Sequence, residues 1–382
     1  MKEIYYWSPC LTNIGTLKST LNSSISLSKY YKNEFKVSII NSCGEWDNYK
    51  DELFKSGVNI IDFPIKYFKF LPKNGYLSSR FSSILIFLLS FGPLLYFLKK
   101  KSPNYIILHM ITSLPLILLL FFKFKSKFIL RISGLPKLNI FRKFLWQKIS
   151  SKLFKVTSPS LDLIKDLIEN KIFQKENISF LPDAILNIKE INKKKLNYKN
   201  KYLDIIEKKN YFISAGRLTR QKNFSYLVKE FSKFLKINQN YNLLIFGDGE
   251  EKIKLYNIIK KNHAENSIFL VGHTENIYHY MKKSSAFILS SLWEAPGFVL
   301  IEAAFSNSFI ISSDCKYGPS EFLNKGENGF LFNSNTKNIL RDKLVEFDSK
   351  KLSLKKKIYY AKKNCKKYTM FHHSLRLKEI LT

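Results

Sequence analysis

The chain has 382 residues, of which 45% are hydrophobic and 24% charged; 63 Lys and Arg face 30 Asp and Glu, for a net charge of +33. That length exceeds one typical core and suits two, and the composition excludes a disordered chain. Four scattered cysteines (Cys10, Cys43, Cys315, Cys365), with no CxxC and no Cys/His cluster, argue against a disulfide framework and a zinc site.

In chain order, the N-terminus runs straight into "KEIYYWSP", a strand-like segment, so no secretory signal peptide is expected and a reducing, cytosolic setting fits. Strands are predicted at 3–7, 36–41, 58–62, 105–109, 127–132 and 153–157, with helical segments between most of them. Two stretches are strongly apolar, "FSSILIFLLSFGPLLYFLKKK" (81–101) and "LPLILLLFFKFKSK" (114–127). The first is about long enough to span a bilayer but carries Ser82, Ser83, Ser90, Gly92 and Pro93; the second is too short. Both end in lysines, as interfacial helices do, so core and membrane-surface readings both stand and a membrane span is disfavoured.

The polar, lysine-rich run "NIKEINKKKLNYKNKYLDIIEKKN" then reads as a linker. Beyond it, short apolar runs at 211–216, 242–247, 267–272, 286–291 and 309–314 mostly end in Gly, Ser or Asp, as buried parallel strands do. The expected organisation is residues 1–185, a linker at 186–209, a second domain at 210–353, and a basic helical segment at 354–382 that returns to the first domain. Strand–helix alternation in both halves implies an α/β protein of two doubly wound, Rossmann-like domains facing across a cleft.

Such domains bind ligands beyond the carboxyl ends of their strands. "SLWEAPGFVLIEA" (291–303) therefore places Glu294 in a loop past a strand, and Glu302 about one and a half turns into a helix that begins near Gly297. Pro296 needs no N–H partner there, Gly297 permits close approach, and the free N–H groups of a helix start suit sugar hydroxyls or anions. "ISAGRLTRQKNF" brings Gly216, Arg217 and Lys222 to another strand end, with Asn223 expected to cap the next helix. Two cations at such a place suit a diphosphate; a solvated turn in a lysine-rich chain is the better account of Lys222 alone, but not of the ensemble.

Taken in order, "GRLTRQKN", "FGDGEE", "VGHTENI", "SSLWEAPGFVLIEAAFSN" and "GPSEFLNKGENGFLF" resemble the retaining family 4 glycosyltransferases, of GT-B architecture, over residues 211–332. Glu-(seven residues)-Glu is the hallmark of that family. More weakly, "LRISGLPKLNIFRKFLW" and "YIILHMITSLPL" are similar to bacterial members that build O-antigen and capsule sugars on lipid carriers. The resemblance implies that Glu294 lies against the donor sugar, that the backbone at Pro296, Gly297, Phe298 and Val299 meets its hydroxyls and phosphate, and that Glu302 binds the ribose. Arg217 and Lys222, beside Gly216, hold the diphosphate as charge builds on the leaving group. His273 falls where the base is read by main chain, and Gly15 in "TNIGT" matches the N-terminal glycine loop, though family members often have two adjacent glycines there. Where many members carry a histidine near the sugar, this chain reads "RISG" (131–134); His109, ending the preceding strand, is the substitute candidate, with a structural hydrogen-bonding role as the alternative.

The implied activity is transfer from a nucleotide diphosphate sugar, UDP by default with GDP open, to a glycan or polyprenyl-diphosphate-linked acceptor, with retention, no cofactor and no metal. A nucleotide-sugar 2-epimerase of the same architecture is the alternative, but no matching histidine motif is present. The charge suits nucleic acid, an anionic membrane or a phosphorylated substrate. Codon bias accounts for many lysines but not for the shortage of acidic residues. A basic nucleic-acid-binding protein is the further, weaker alternative; no RNA-recognition or zinc-finger pattern is visible, so a nucleic-acid partner is not expected. The expected location is cytoplasmic, peripheral on the inner face of the cytoplasmic membrane.

Overall fold

The computed structural model describes residues 1–11, 15–64, 66–72, 76–132, 134–136, 138–196, 209–274 and 276–382. The chain divides into two compact units: Met1–Ile185 with Tyr368–Thr382, and Leu186–Lys367.

The first unit holds a sheet of β1 (Lys2–Trp7), β2 (Phe35–Asn41), β3 (Asn59–Asp62), β4 (Tyr105–Leu108), β5 (Lys127–Arg131), β6 (Lys155–Ser158) and β7 (Ile178–Phe180). The order is β3-β2-β1-β4-β5-β6-β7, and every pairing is parallel. Ile4 of β1 sits opposite Val37 of β2 and Tyr105 of β4, which centres the strand in the core. The edge strand β7 was not anticipated, because three residues, two of them half-buried, are too short for a periodic signal.

The helix Gly15–Tyr30 carries a run of buried serines that no amphipathic pattern announces. It is covered twice, by the sheet and by the C-terminal helix Met370–Leu381. Its polar groups are therefore satisfied internally: Ser23 Oγ lies 2.9 Å from Tyr6 Oη and 2.7 Å from His373 Nε2, and Asn22 Nδ2 donates to the Ala184 carbonyl at 2.8 Å.

The first apolar stretch forms the helix Tyr76–Lys101, with Pro93 inside it. One row of it is buried, Ser82, Ile86, Ser90, Leu94 and Leu98. Ser82 Oγ donates to the Pro72 carbonyl at 2.6 Å, Ile86 packs with Cys43 and Leu71, and the Phe97 ring meets Tyr5 edge-on at 5.1 Å. By length and composition this helix could cross a membrane, and 28% of its most apolar stretch is buried within the protein.

The second unit holds β8 (Asn210–Ala215), β9 (Tyr241–Phe246), β10 (Ile268–Gly272), β11 (Ala286–Leu289), β12 (Phe309–Ser313) and β13 (Phe330–Phe332), in the order β10-β9-β8-β11-β12-β13, again all parallel. Its core gathers Phe212, Phe231, Phe234, Tyr241 and Phe347 around edge-on ring contacts. Each sheet reverses its direction of growth once, between β1 and β4 and between β8 and β11. In open parallel sheets those reversals mark where ligands bind.

The boundaries differ from the sequence reading at two places. The expected linker begins as a helix, Ile188–Leu196, that groups with the second unit; residues 197–208 lie outside the described residues. The return to the first unit comes at Tyr368 rather than at 354, because the helix Lys355–Asn364 packs against the helix Phe298–Phe305 and β12 of the second unit.

Candidate functional site

At the reversal in the second sheet, the chain leaves β8 through Gly216 and turns at Arg220–Lys222 before the helix Phe224–Leu235. It leaves β11 through Ser290 and Ser291. The two loops are bonded together: Leu292 N donates to the Gln221 carbonyl at 2.8 Å, Gln221 Nε2 to the Trp293 carbonyl at 2.9 Å, and Ser290 Oγ to the Lys222 carbonyl at 2.8 Å.

Across this junction Lys222 Nζ reaches Glu294 Oε1 at 2.5 Å, and Ser291 Oγ donates to the same oxygen at 2.6 Å. The two ionic side chains are 15% and 8% exposed, so the pair is largely removed from water. Gly216 makes the arrangement possible. Its φ of +153° favours glycine, and a Cβ there would sit 2.9 Å from Lys222 Cε and crowd the lysine stem that lies across the strand end. Gly247, beyond β9, approaches Gly216 so closely that a Cβ would fall 1.9 Å from its carbonyl oxygen.

The helix Phe298–Phe305 begins after Gly297, whose φ of +93° suits a residue without a side chain. The first N–H groups of a helix have no acceptor within it, so those at Phe298 and Val299 are directed beyond its start. Pro296 is buried under Gly318; a Cβ on Gly318 would meet the Pro296 carbonyl oxygen at 2.5 Å. Glu302 is buried on this helix and accepts a hydrogen bond of 2.8 Å from Tyr278 Oη, carried by the helix Ile277–Lys283.

The structure thus brings Gly216, Lys222, Glu294 and the Pro296–Gly297 turn together, with Glu302 on the helix that follows. Arg217 is exposed beside β8, and no carboxylate pairs with it among the described residues. His273 is exposed in the loop after β10, two strands from β8. One capping expectation needs correction: Asn223 precedes its helix in the left-handed region (φ 52°) and its side chain makes no cap bond.

In the first unit, His109 is buried, its Nδ1 3.0 Å from Thr20 Oγ1 and its ring tilted against Tyr6 at 5.7 Å. Burial pushes its pKa well below the usual imidazole range, and Arg131 and His373 push the same way. It is therefore neutral and enclosed, which accords with the hydrogen-bonding alternative. Arg131 is also internal. Its guanidinium donates to the Leu181 carbonyl at 3.0 Å and to Asp183 Oδ1 at 2.5 Å, with both side chains nearly inaccessible. Gly15 opens the helix Gly15–Tyr30; the rest of its expected loop, residues 12–14, lies outside the described residues.

Sequence reasoning missed Gln221, Ser290, Ser291, Tyr278 and Cys315. The two serines ending "AFILSS" were the available signal, since polar residues closing a buried strand often serve the loop beyond it. Cys315 is buried, and its thiol is pushed up to about 12, by burial first and Glu294 second, so it stays neutral. Among the described residues no group of three His, Cys, Asp or Glu side chains is arranged to hold a metal ion.

Residues 197–364 match the family model described as Glycosyl transferases group 1. An uncharacterized glycosyltransferase of Methanocaldococcus jannaschii is 32% identical over 244 residues, 59% of each chain. An N-acetylgalactosamine-N,N'-diacetylbacillosaminyl-diphospho-undecaprenol 4-alpha-N-acetylgalactosaminyltransferase of Campylobacter jejuni is 28% identical over 200 residues, 52% of each. The aligned part thus spans between half and three-fifths of the length of these relatives. Among solved structures, HepE of Anabaena in complex with UDP superposes with a TM-score of 0.72 at 12% identity, covering 99% of both chains. That likeness shows a shared GT-B fold.

Proposed function

We propose that this chain, whose residues 197–364 match the group 1 glycosyl transferase model, moves a sugar from a nucleotide diphosphate sugar to a hydroxyl. The observation that carries the reading is the Lys222–Glu294 pair, seated at the reversal between β8 and β11 beside a helix start. In this reading Arg217 and Lys222 take the diphosphate, and Glu294 and the backbone from Pro296 to Val299 hold the sugar. Glu302, oriented by Tyr278, binds the ribose hydroxyls. Two cations offset the charge that develops on the leaving diphosphate, which makes a divalent metal unnecessary. UDP is the preferred nucleotide, by analogy with the UDP-bound HepE.

Transfer proceeds with retention. Glu294 is engaged by Lys222 and Ser291 through one oxygen, so it positions the sugar rather than serving as a free base for water. The acceptor is a glycan or a lipid-linked glycan of surface polysaccharide assembly, in line with the diphospho-undecaprenol substrate in the Campylobacter relative's name. The enzyme works in the cytoplasm, peripherally on the inner face of the membrane.

A panel of UDP- and GDP-sugars, scored for thermal stabilisation and slow hydrolysis with and without EDTA, tests this. A matching donor raises the melting temperature by mass action and is hydrolysed in EDTA. Failure of every nucleotide sugar to do either contradicts the reading, and activity that needs magnesium or manganese contradicts the metal-free part. Comparing the anomeric proton coupling of product and donor by NMR decides retention.

A further inference from the structure

Residues 63–161 contain 17 Lys and Arg and no Asp or Glu, so all 30 acidic residues of the chain lie elsewhere. A bias toward lysine codons raises the number of lysines, but it does not empty one stretch of carboxylates. Among its described residues this stretch carries the α-helices Tyr76–Lys101, Ser113–Phe121 and Ile140–Ile149, and the middle one packs against both others. All three join strands that progress across the sheet in one direction. Right-handed crossovers therefore lay them on the same face.

On Tyr76–Lys101 two rows spaced by four residues run along opposite sides. One is the buried row from Ser82 to Leu98. The other, Arg80, Ile84, Leu88, Gly92, Tyr96 and Lys100, is exposed throughout, with Leu88 at 63%. An offset of two residues turns a helix by about 200°, so the rows stay opposed along its length. The exposed row is apolar in the middle and cationic at both ends. The helix Ile140–Ile149 repeats the pattern, with Ile140 at 90% exposure, Phe141 and Phe144 exposed nearby, and Lys143 and Lys148 among them. At the margins, lysine tips lie against aromatic groups: Lys100 Nζ donates to Tyr96 Oη at 2.8 Å, and Lys148 Nζ stands 5.7 Å from the Phe144 ring centre. Apolar residues inside a cationic margin match the headgroup boundary of a bilayer.

We propose that this face of the first unit docks flat on an anionic lipid bilayer, with Ile84, Leu88, Tyr96 and the 140–144 turn entering the headgroup layer and the surrounding lysines meeting lipid phosphates. The proposal rests on the membrane location inferred above and assigns the residues that produce it. Spanning is disfavoured because the buried row is bonded and packed to the body of the unit through Ser82 and Ile86. A second copy is a poor occupant, since its own cationic margin would oppose this one.

The test uses flotation with phosphatidylcholine vesicles, with and without phosphatidylglycerol, at low and high salt. The full chain is compared with Ile84→Glu/Leu88→Glu and with Lys99→Glu/Lys100→Glu/Lys101→Glu, and UDP titration and circular dichroism report the donor site and the fold. Wild-type protein should float only with phosphatidylglycerol and lose binding in high salt. Each variant should weaken flotation by about tenfold or more at unchanged UDP affinity. If either variant fails to fold, the other still decides. Wild-type protein that never floats but binds UDP removes the membrane location and leaves the transferase reading standing. Variants that float like wild type remove this face. Resistance to carbonate extraction, or a lipid-free dimer that Ile84→Glu/Leu88→Glu dissociates, also overturns the proposal.

Discussion

Lys222 Nζ lies 2.5 Å from Glu294 Oε1, joining the loop after β8 to the loop after β11 with little access to water. Removing one member leaves the other charge buried without its partner, which costs about 3–5 kcal/mol in enclosed pairs. Solvent still reaches Lys222, so the lower end applies. Lys222→Met and Glu294→Gln should each lower the urea midpoint, and the double variant should recover part of the loss. Turnover should fall roughly a hundredfold or more in Lys222→Met if, as proposed, the same cation offsets the charge on the leaving group. A cycle of urea melts and initial rates checks both; strictly additive melts would show that the pair contributes no coupling.

Gly318→Ala should damage the site without touching a charged group. The added Cβ would meet the Pro296 carbonyl oxygen at 2.5 Å and must displace the turn that starts the helix Phe298–Phe305. Overpacking of this kind costs about 1–3 kcal/mol. Nucleotide-sugar affinity should fall while the far-ultraviolet circular dichroism spectrum is kept, and unchanged affinity would show that the turn does not shape the site.

Arg131→Ala should destabilise the first unit by about 3 kcal/mol, leaving Asp183 buried without a cation although Ser19 Oγ still donates to it at 2.7 Å. The effect should appear in a urea melt and not in UDP affinity. A loss of UDP affinity with an unchanged melt would instead give Arg131 a direct role at the donor.

Stability should also depend on pH through His373, lowered to about 4 by burial first and by Arg131 second, and through His109, lowered for similar reasons. Both are held neutral in the folded chain, whereas an unfolded histidine takes up a proton near pH 6.5. Their contribution is complete above that pH and is lost as pH falls toward 4, by at most about 1.4 kcal/mol per pH unit for each group. Melting temperatures across that window should fall, with a shallower slope in His373→Gln. An identical slope would clear His373.

Much of this was legible in advance. The apolar runs closed by Gly, Ser or Asp located the long strands, since a buried parallel strand leaves little freedom of composition. Glu294 and Lys222 were legible as two separate strand-end positions. Their mutual contact was not, because it depends on β8 and β11 being neighbours 70-odd residues apart in sequence, which strand order alone settles. Asn223 misled because capping propensity describes side chains, whereas here the backbone enters the left-handed region. Nothing local marks the serines of Gly15–Tyr30 as buried, because the helix Met370–Leu381 that covers them lies more than 300 residues away. The exposed row of Tyr76–Lys101 was hidden for the opposite reason. Its residues are as apolar as a core helix, and only packing reveals which side is left uncovered.

The central claim is that the second unit binds the nucleotide of a sugar donor through Glu302. Titration calorimetry of UDP into wild-type protein, Glu302→Ala and Tyr278→Phe tests it most directly. Charge-assisted hydrogen bonds contribute roughly 1.5–3 kcal/mol each, so Glu302→Ala should weaken UDP at least about tenfold. Tyr278→Phe, which removes the 2.8 Å bond that Tyr278 Oη donates to Glu302, should weaken it less. Equal UDP affinity in wild type and Glu302→Ala would contradict the account.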